Sequence, residues 1–438
     1  MIGKVIGGVL VVAAMIGALI VGGRLPVDPV PASASTTIAI TPARQDVACP
    51  GPLATPAGGG GSDPELGGAA TDVARSTYLT GDVRAVGNGQ ASDAVVGAAV
   101  ERVGGGDITG LAAITCTAPL TEQWIVAGAT TIGSSARIVL TNPADASVEA
   151  TVTAYGELGK LDSRRIAIGP GAQQDVLLEG VVVDVAALAV HISSTGTGVV
   201  AALQDSRLGG FQPFGTDWAT TSSLATELAL PGVGTGGSSK ESATVRLVAP
   251  NGGTARLSLL AEDGASLWEG VAALELEPGV VVEVAVPAVD EGTVRISATS
   301  PVVAGALITK ARAATAGVDG DIARELRWVA GLPVDEDVER SAVAVGYAER
   351  VVVFAQRSGT FTLTDDSGTT VATAVVADGT TASVPIDVPA GTVLTASGPY
   401  AWALVAEDED LFTSMMPTRT TIDAHDVVVE QRRYVPSP

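Results

Sequence analysis

From Trp124 onward, apolar residues fall at every second position in short runs, and Gly, Pro, Asn and Asp break the runs. A period of two turns one face of an extended segment toward a core and the other toward water, so the pattern predicts short β-strands joined by turns. In "ARIVLTNP", Ile138 and Leu140 share a face; in "VEATVTAY", Val148, Ala150, Val152 and Ala154 do so. "RIAIGPGAQQDVLL" reads as a strand, a Gly-Pro-Gly turn and a second strand carrying Val176 and Leu178. "LAVHISS" then alternates Leu188, Val190 and Ile192, and "GVVAALQDS" closes the set.

The series returns about 107 positions later. "TVRLVAPNGGTARLSLLAEDG" sets Val245 and Leu247 where Ile138 and Leu140 stood and Pro250 where Pro143 stood, with Ala255, Leu257, Leu259 and Ala261 as the second strand. "LELEPGVVVEVAV" overlays "IAIGPGAQQDVLL" with Gly279 on Gly171 and Val284 on Val176, and "VRISATSPVVAGALI" follows. A shorter third copy puts Gly379, Val384 and Leu404 in the places of Gly279, Val284 and Leu307. A period this long exceeds the 20–50 residues of solenoid repeats and predicts tandem domains. Some seven alternating strands in about 100 residues describe an immunoglobulin-like β-sandwich. The expected organisation is all-β: sandwiches at 124–220, 221–328 and 329–425, a tail at 426–438, and a Gly/Ala-rich β region at 36–123 that pairs with the first sandwich. In that region "GQASDAVVGAAVERVGG" is expected as a helix.

The segment 1–24, "MIGKVIGGVLVVAAMIGALIVGGR", carries no charge from Val5 to Gly23. Such a length just spans a hydrocarbon core of roughly 30 Å and exceeds the usual signal-peptide core of about 7–15 residues. The expectation is an N-terminal membrane helix with the rest of the chain outside the cytoplasm. Cleavage and secretion is the alternative, with Ala32-Ser33-Ala34 as the nearest small-residue site. Export agrees with the two cysteines, Cys49 and Cys116, an even count that predicts a disulfide.

Composition narrows the function. The net charge of −23 disfavours nucleic acid, which needs clustered Lys and Arg, and suits a solvated surface. The only histidines are His191 and His425; the period of two points His191 outward, and Arg295 occupies its place in the second copy. No G-x-S-x-G elbow accompanies either one, so a Ser-His-Asp hydrolase is disfavoured. Acidic runs, "VDEDVER", "LTDDSG" and "AEDED", fall at turns, where Asp caps its own backbone. Asp319, Asp321, Asp335 and Asp337, between the second and third copies, are the weak candidates for calcium, although their spacing is not that of an EF-hand. Trp124, Trp218 and Trp328 sit near copy boundaries; they are expected to pack the junctions, and as flat rings they are also the candidate sugar platforms. No catalytic residue and no cofactor is expected.

"CPGP" at 49–52, a second Cys before "WIVAGAT", then "ARIVLTNP" and "GPG" behind an apolar N-terminus resemble an uncharacterised family of secreted or membrane-anchored actinobacterial envelope proteins, a domain of unknown function. The resemblance implies export, β-richness and residence in the cell envelope, and supplies no activity. The reading that follows is a non-enzymatic envelope protein, a structural or protein-binding scaffold. The alternative is an accessory carbohydrate-binding or glycan-assembly protein, and in either case the partner is an envelope protein or polysaccharide.

Overall fold

The computed structural model describes residues 46–55, 69–92, 96–235, 241–266, 268, 270–334 and 337–419, and the backbone of two further strands. Those two, Ser35–Ile40 and His425–Glu430, pair antiparallel with each other and belong to one compact unit; residues 43–422 form another. The apolar segment 1–24 lies outside the described residues, as does Asp335, and His425 is described by its backbone alone. Among the described residues no helix is long and apolar enough to cross a membrane.

The larger unit is built of separate antiparallel sheets. Between Glu122 and Ala219 there are eight strands in two four-stranded sheets. One runs in the order Gly159–Ile168, Val148–Gly156, Ala189–Ser194, Glu122–Ile125; the other runs Ala172–Leu177, Ser134–Asn142, Val200–Gly209, Gln212–Ala219. Numbered along the chain, the sheets read 4-3-6-1 and 5-2-7-8. The same two orders recur from Ala225 to Ala330 and from Arg340 to Met415. In the second module the sixth and seventh strands are one continuous strand, Gly292–Ala313. Its first half pairs within one sheet and its second half within the other. In each module the segment after the eighth strand returns to pair with the first: Ser222 with Trp124, Leu332–Pro333 with Ala229–Leu228, Thr418–Arg419 with Ser341–Arg340.

The predicted inward faces are inward. Ile138, Leu140, Val148, Ala150, Val152, Ala154, Val190 and Ile192 are buried in one core, and Val245, Leu247, Ala255, Leu257 and Leu259 in the next. Gly171, Gly279 and Gly379 share a role. Each has a positive φ, 60°, 72° and 67°, and each donates its N–H to an alanine carbonyl at the end of the second strand: Ala144, Ala249 and Ala355. A side chain in that left-handed turn would be strained, which is why the repeat keeps glycine there. One alignment shifts by a residue. Ile138, Val245 and Val351 face Leu203, Ala306 and Leu404 across the sheet, so Leu404 takes the place of Ala306 and not of Leu307.

The Ala-rich segment expected as a helix is two strands, Gly89–Ser92 and Gly97–Gly105. Val96, Ala98 and Val100 pack into the core of the third module, while Ala99 and Val103 pack beside Cys49, Cys116 and Trp218. A strand buried on both faces shows no alternation, and its small residues then imitate helix composition. The disulfide forms between Cys49 and Cys116, with Cα atoms 4.5 Å apart.

The N-terminal β region therefore leans on the first and third modules together. Its strand Gly110–Thr115 lies along both Gln212–Ala219 and Leu411–Met415. The eighth strand of the second module, Ile322–Ala330, lies along those of the first and third. Three equivalent strands and one from the N-terminal region thus close around a common axis. The modules form a ring and not an end-to-end string.

Candidate functional site

The axis holds the densest buried chemistry. On the eighth strands, Asp217, Arg327 and Thr413 occupy one repeat position, since Ala219, Val329 and Met415, two places on, face Leu203, Ala306 and Leu404. They meet at the centre. Thr413 Oγ1 donates to Asp217 Oδ1 (2.9 Å) and accepts the Ala113 N–H (3.1 Å), and Trp328 N–H donates to Asp217 Oδ2 (2.9 Å). Arg327 donates to Ser414 Oγ and to the Gly232 carbonyl and lies 5.2 Å from the Phe412 ring. Glu325 sits one pleat further along, 3.7 Å from Arg312. Gly110 leaves it room: a Cβ there would stand 3.0 Å from Glu325 Oε1 and 2.5 Å from the Thr216 carbonyl.

Burial dominates the charges of this cluster. It pushes Asp217 well above the usual carboxylate range, against the pull of its N–H and hydroxyl donors and of Arg327. It does the same to Glu325, against Arg312. The Arg327 guanidinium is lowered to about 10, again by burial first. All three groups are buried; Asp217 and Arg327 bond between neighbouring strands, whereas neither Glu325 carboxylate oxygen finds a hydrogen-bond partner among the described residues.

The tryptophans are joints. Trp218 and Trp328 occupy the same repeat position, one residue after Asp217 and Arg327. Trp218 is buried against the disulfide region, and Trp328 against the core of the first module. Trp328 Nε1 donates to Asp205 Oδ2 (2.9 Å), and Arg246 stacks 5.1 Å above its ring. Arg246, itself 2% exposed at its side chain, pairs with Glu283 (2.6 Å) and donates to the Gly128 and Ala186 carbonyls. Rings enclosed in this way offer no face to a sugar, which corrects Trp218 and Trp328 as platforms. Trp124 is also buried, between the first and second modules, with one edge in a cleft.

His191 lies directly across from Trp124, its ring 4.6 Å away, and its Nε2 bonds Glu122 Oε2 at 2.6 Å. The same pair recurs in the second module as Arg295 and Glu227 (3.0 Å). In the third, Glu339 accepts from Ser397 (3.3 Å), as Glu227 accepts from Ser297 (2.8 Å). His191 is thus one rung of a repeated Glu ladder. Alternation places it outward correctly; the signal that reveals its partner is the Glu of "EQW", "ELA" and "ERS" at the head of each module. Asp319, Asp321 and Asp337 are exposed, and among the described residues no group of three or more His, Cys, Asp or Glu gathers to hold a metal ion.

The open chemistry lies where the linkers between modules come together. The segments after strands 110–115, 212–219, 322–330 and 411–415 line two adjoining clefts, of about 500 and 130 Å³, that share Thr221, Ser223, Pro333 and Arg419. Hydroxyls of Thr117, Thr220 and Thr418 line the smaller, and Leu120, Leu224 and the edge of Trp124 the larger. His191 and Glu122 stand in the larger cleft, and Arg340 in the smaller. Alternation marks each linker only as a break between strands, because their convergence depends on ring closure.

No curated protein matches the chain. Among solved structures, the BSP domain of a biofilm-associated protein is similar at 11% identity and a TM-score of 0.15, covering 80% of this chain and 66% of that one. A likeness that loose carries no argument about fold or function. A family model, "Family of unknown function (DUF5719)", matches residues 68–397, from the strand at 71–79 to the strand at 393–396. On that extent, the chain belongs to this family of unknown function.

Proposed function

We propose that this protein is a non-enzymatic, exported cell-envelope protein that works as a rigid scaffold, presenting the outside of a ring of β-sandwich modules to envelope partners. One observation carries the reading: the buried groups Asp217 and Arg327, which would otherwise suggest catalysis, are engaged at the axis in bonds between equivalent strands, Asp217 with Thr413 and the Trp328 N–H, and Arg327 with Ser414. The apolar segment 1–24 and the Cys49–Cys116 disulfide support residence outside the cytoplasm. The modules are immunoglobulin-like in size, in their two layers, and in pairing the second strand with the fifth and the third with the sixth. They depart from that fold in exchanging the first and seventh strands between the sheets.

The test is made in cells on the full chain. Thiol trapping should find Cys49 and Cys116 oxidised, added protease should reach the protein from outside the membrane, and crosslinking should attach it to an envelope protein or polymer. A cytoplasmic pool with both thiols reduced overturns the reading. The linker-lined clefts favour the second reading, an accessory carbohydrate-binding protein.

A further inference from the structure

In each module the fourth and fifth strands stand at the ends of their sheets. A strand in that place offers unpaired N–H and C=O groups to any extended chain, and proteins blunt such edges with charge, proline or brevity. Among the fourth strands, Gly159–Ile168 carries Lys160, Asp162, Arg164 and Arg165, and its counterpart in the second module is cut into two short pieces, Gly264–Ser266 and Leu274–Leu276. Among the fifth strands, Ala172–Leu177 carries Asp175, Val281–Ala285 carries Glu283, and Thr380–Ile386 carries Pro385. The exception is the fourth strand of the third module, Thr370–Val376, whose sequence "TVATAVV" has no charge, proline or glycine. It pairs with Gly359–Asp365 on one side, and among the described residues no strand pairs on the other. The register skips Val371, a bulge that leaves Ala372–Val376 as the regular part of the edge. There Thr373 is exposed and Val375 is 84% exposed, while Ala372, Ala374 and Val376 are buried.

We propose that a second copy of this chain seats on this edge, Thr370–Val376 pairing antiparallel with its own counterpart so that two sheets run on as one. A two-fold axis at Ala374 sets Thr373 across from the partner's Val375, and Ala372 across from the partner's Val376. Outward residues then meet outward ones and inward residues inward ones, as the pairing of two half-buried strands requires. The charges agree with a second copy as the occupant. This register sets Asp378 across from the partner's Thr370, so a chain of net charge −23 can turn this neutral edge toward its own copy without carboxylates facing each other. A contact of roughly four to six backbone hydrogen bonds falls below about 1,200 Å², which makes the dimer weak and reversible. An isologous contact uses up the edge and stops at two copies. The inference stands apart from what the ring presents to its partners, and adds that it is presented in pairs.

The test is sedimentation equilibrium of the full chain in detergent, from about 1 to 300 µM. The mass should rise from one copy toward two with a Kd of about 10–100 µM. Thr373→Lys should weaken the association at least roughly tenfold, while Ile132→Lys, on an exposed loop of the first module, should leave it unchanged. Thr373 is exposed, so its variant should fold, and circular dichroism checks that it does. Thr373→Cys mixed with Val375→Cys should form a disulfide between copies faster than either variant alone, because directly opposite residues stand about 4.5–5.5 Å apart and diagonal ones about 7–8 Å. A mass that stays at one copy up to about 300 µM leaves the edge to a strand of a different protein and overturns the inference. Association that Thr373→Lys leaves intact, growth beyond two copies, or no preference for the mixed disulfide overturns it as well.

Discussion

Replacing Trp328 by Ala tests whether the ring is held by its joints. The side chain is 3% exposed and packs into the core of the neighbouring module. An indole that buries about 150–250 Å² at roughly 25 cal/mol per Å² contributes about 4–6 kcal/mol, close to the 3–5 kcal/mol lost in large aromatic truncations. The substitution also strips one donor from Asp205, a fully buried carboxylate that keeps Arg207 at 2.8 Å. Trp328→Phe separates the two contributions. It retains most of the ring and loses the Nε1–H, so it should cost about 1–3 kcal/mol. Urea unfolding followed by circular dichroism, with Ile132→Ala as a surface control, measures all three; Ile132 is 86% exposed and its change should stay within about 0.5 kcal/mol. In the Ala variant the first and second modules should also unfold in separable steps. A Trp328→Ala protein within about 1 kcal/mol of the parent, unfolding in the parent's single step, would refute the joint.

Glu349 carries a pH prediction: burial raises its carboxyl from 4.5 to about 7, although the Val345 N–H donates to it at 2.6 Å. A raised carboxylate favours the fold below its unfolded value and loses that advantage as pH climbs to its folded value. Stability should therefore fall between pH 4.5 and 7, and Glu349→Gln should flatten that slope and stabilise the protein above pH 7 by about 2–3 kcal/mol, read as the denaturation midpoint across pH. Reducing Cys49–Cys116 reopens a loop spanning 67 positions and should cost about 4 kcal/mol, with limited proteolysis releasing the N-terminal region first. His191→Arg should be tolerated within about 0.5 kcal/mol, since it copies the Arg295–Glu227 pair, and a drop larger than about 2 kcal/mol in thermal unfolding would contradict the ladder.

The strands and their inward faces were legible because half-buried strands write their alternation into the chain, as in Ile138 and Leu140. The turn glycines 171, 279 and 379 were legible because the backbone there tolerates little else. The closure of the ring was not. It is encoded in single polar residues, Asp217, Arg327 and Thr413, spaced unevenly along the chain and of three different chemistries. Strand 97–105 was misread for a related reason: two cores claim its two faces, and no polar side remains to set a period. The cleft could not be read at all, since Thr117, Thr221, Pro333 and Arg419 become neighbours only when four linkers meet.

The bond from Ala113 to Thr413 joins residues 300 positions apart. The first wall of the ring therefore stays without its last neighbour until residues 300 positions away have folded. Bringing such distant residues together costs loop entropy that local strand pairing does not repay, which makes the final docking the slow event. Until that docking occurs, Asp217 and Arg327 are accessible to water, and a chain halted at this stage would be the form that proteases and chaperones meet.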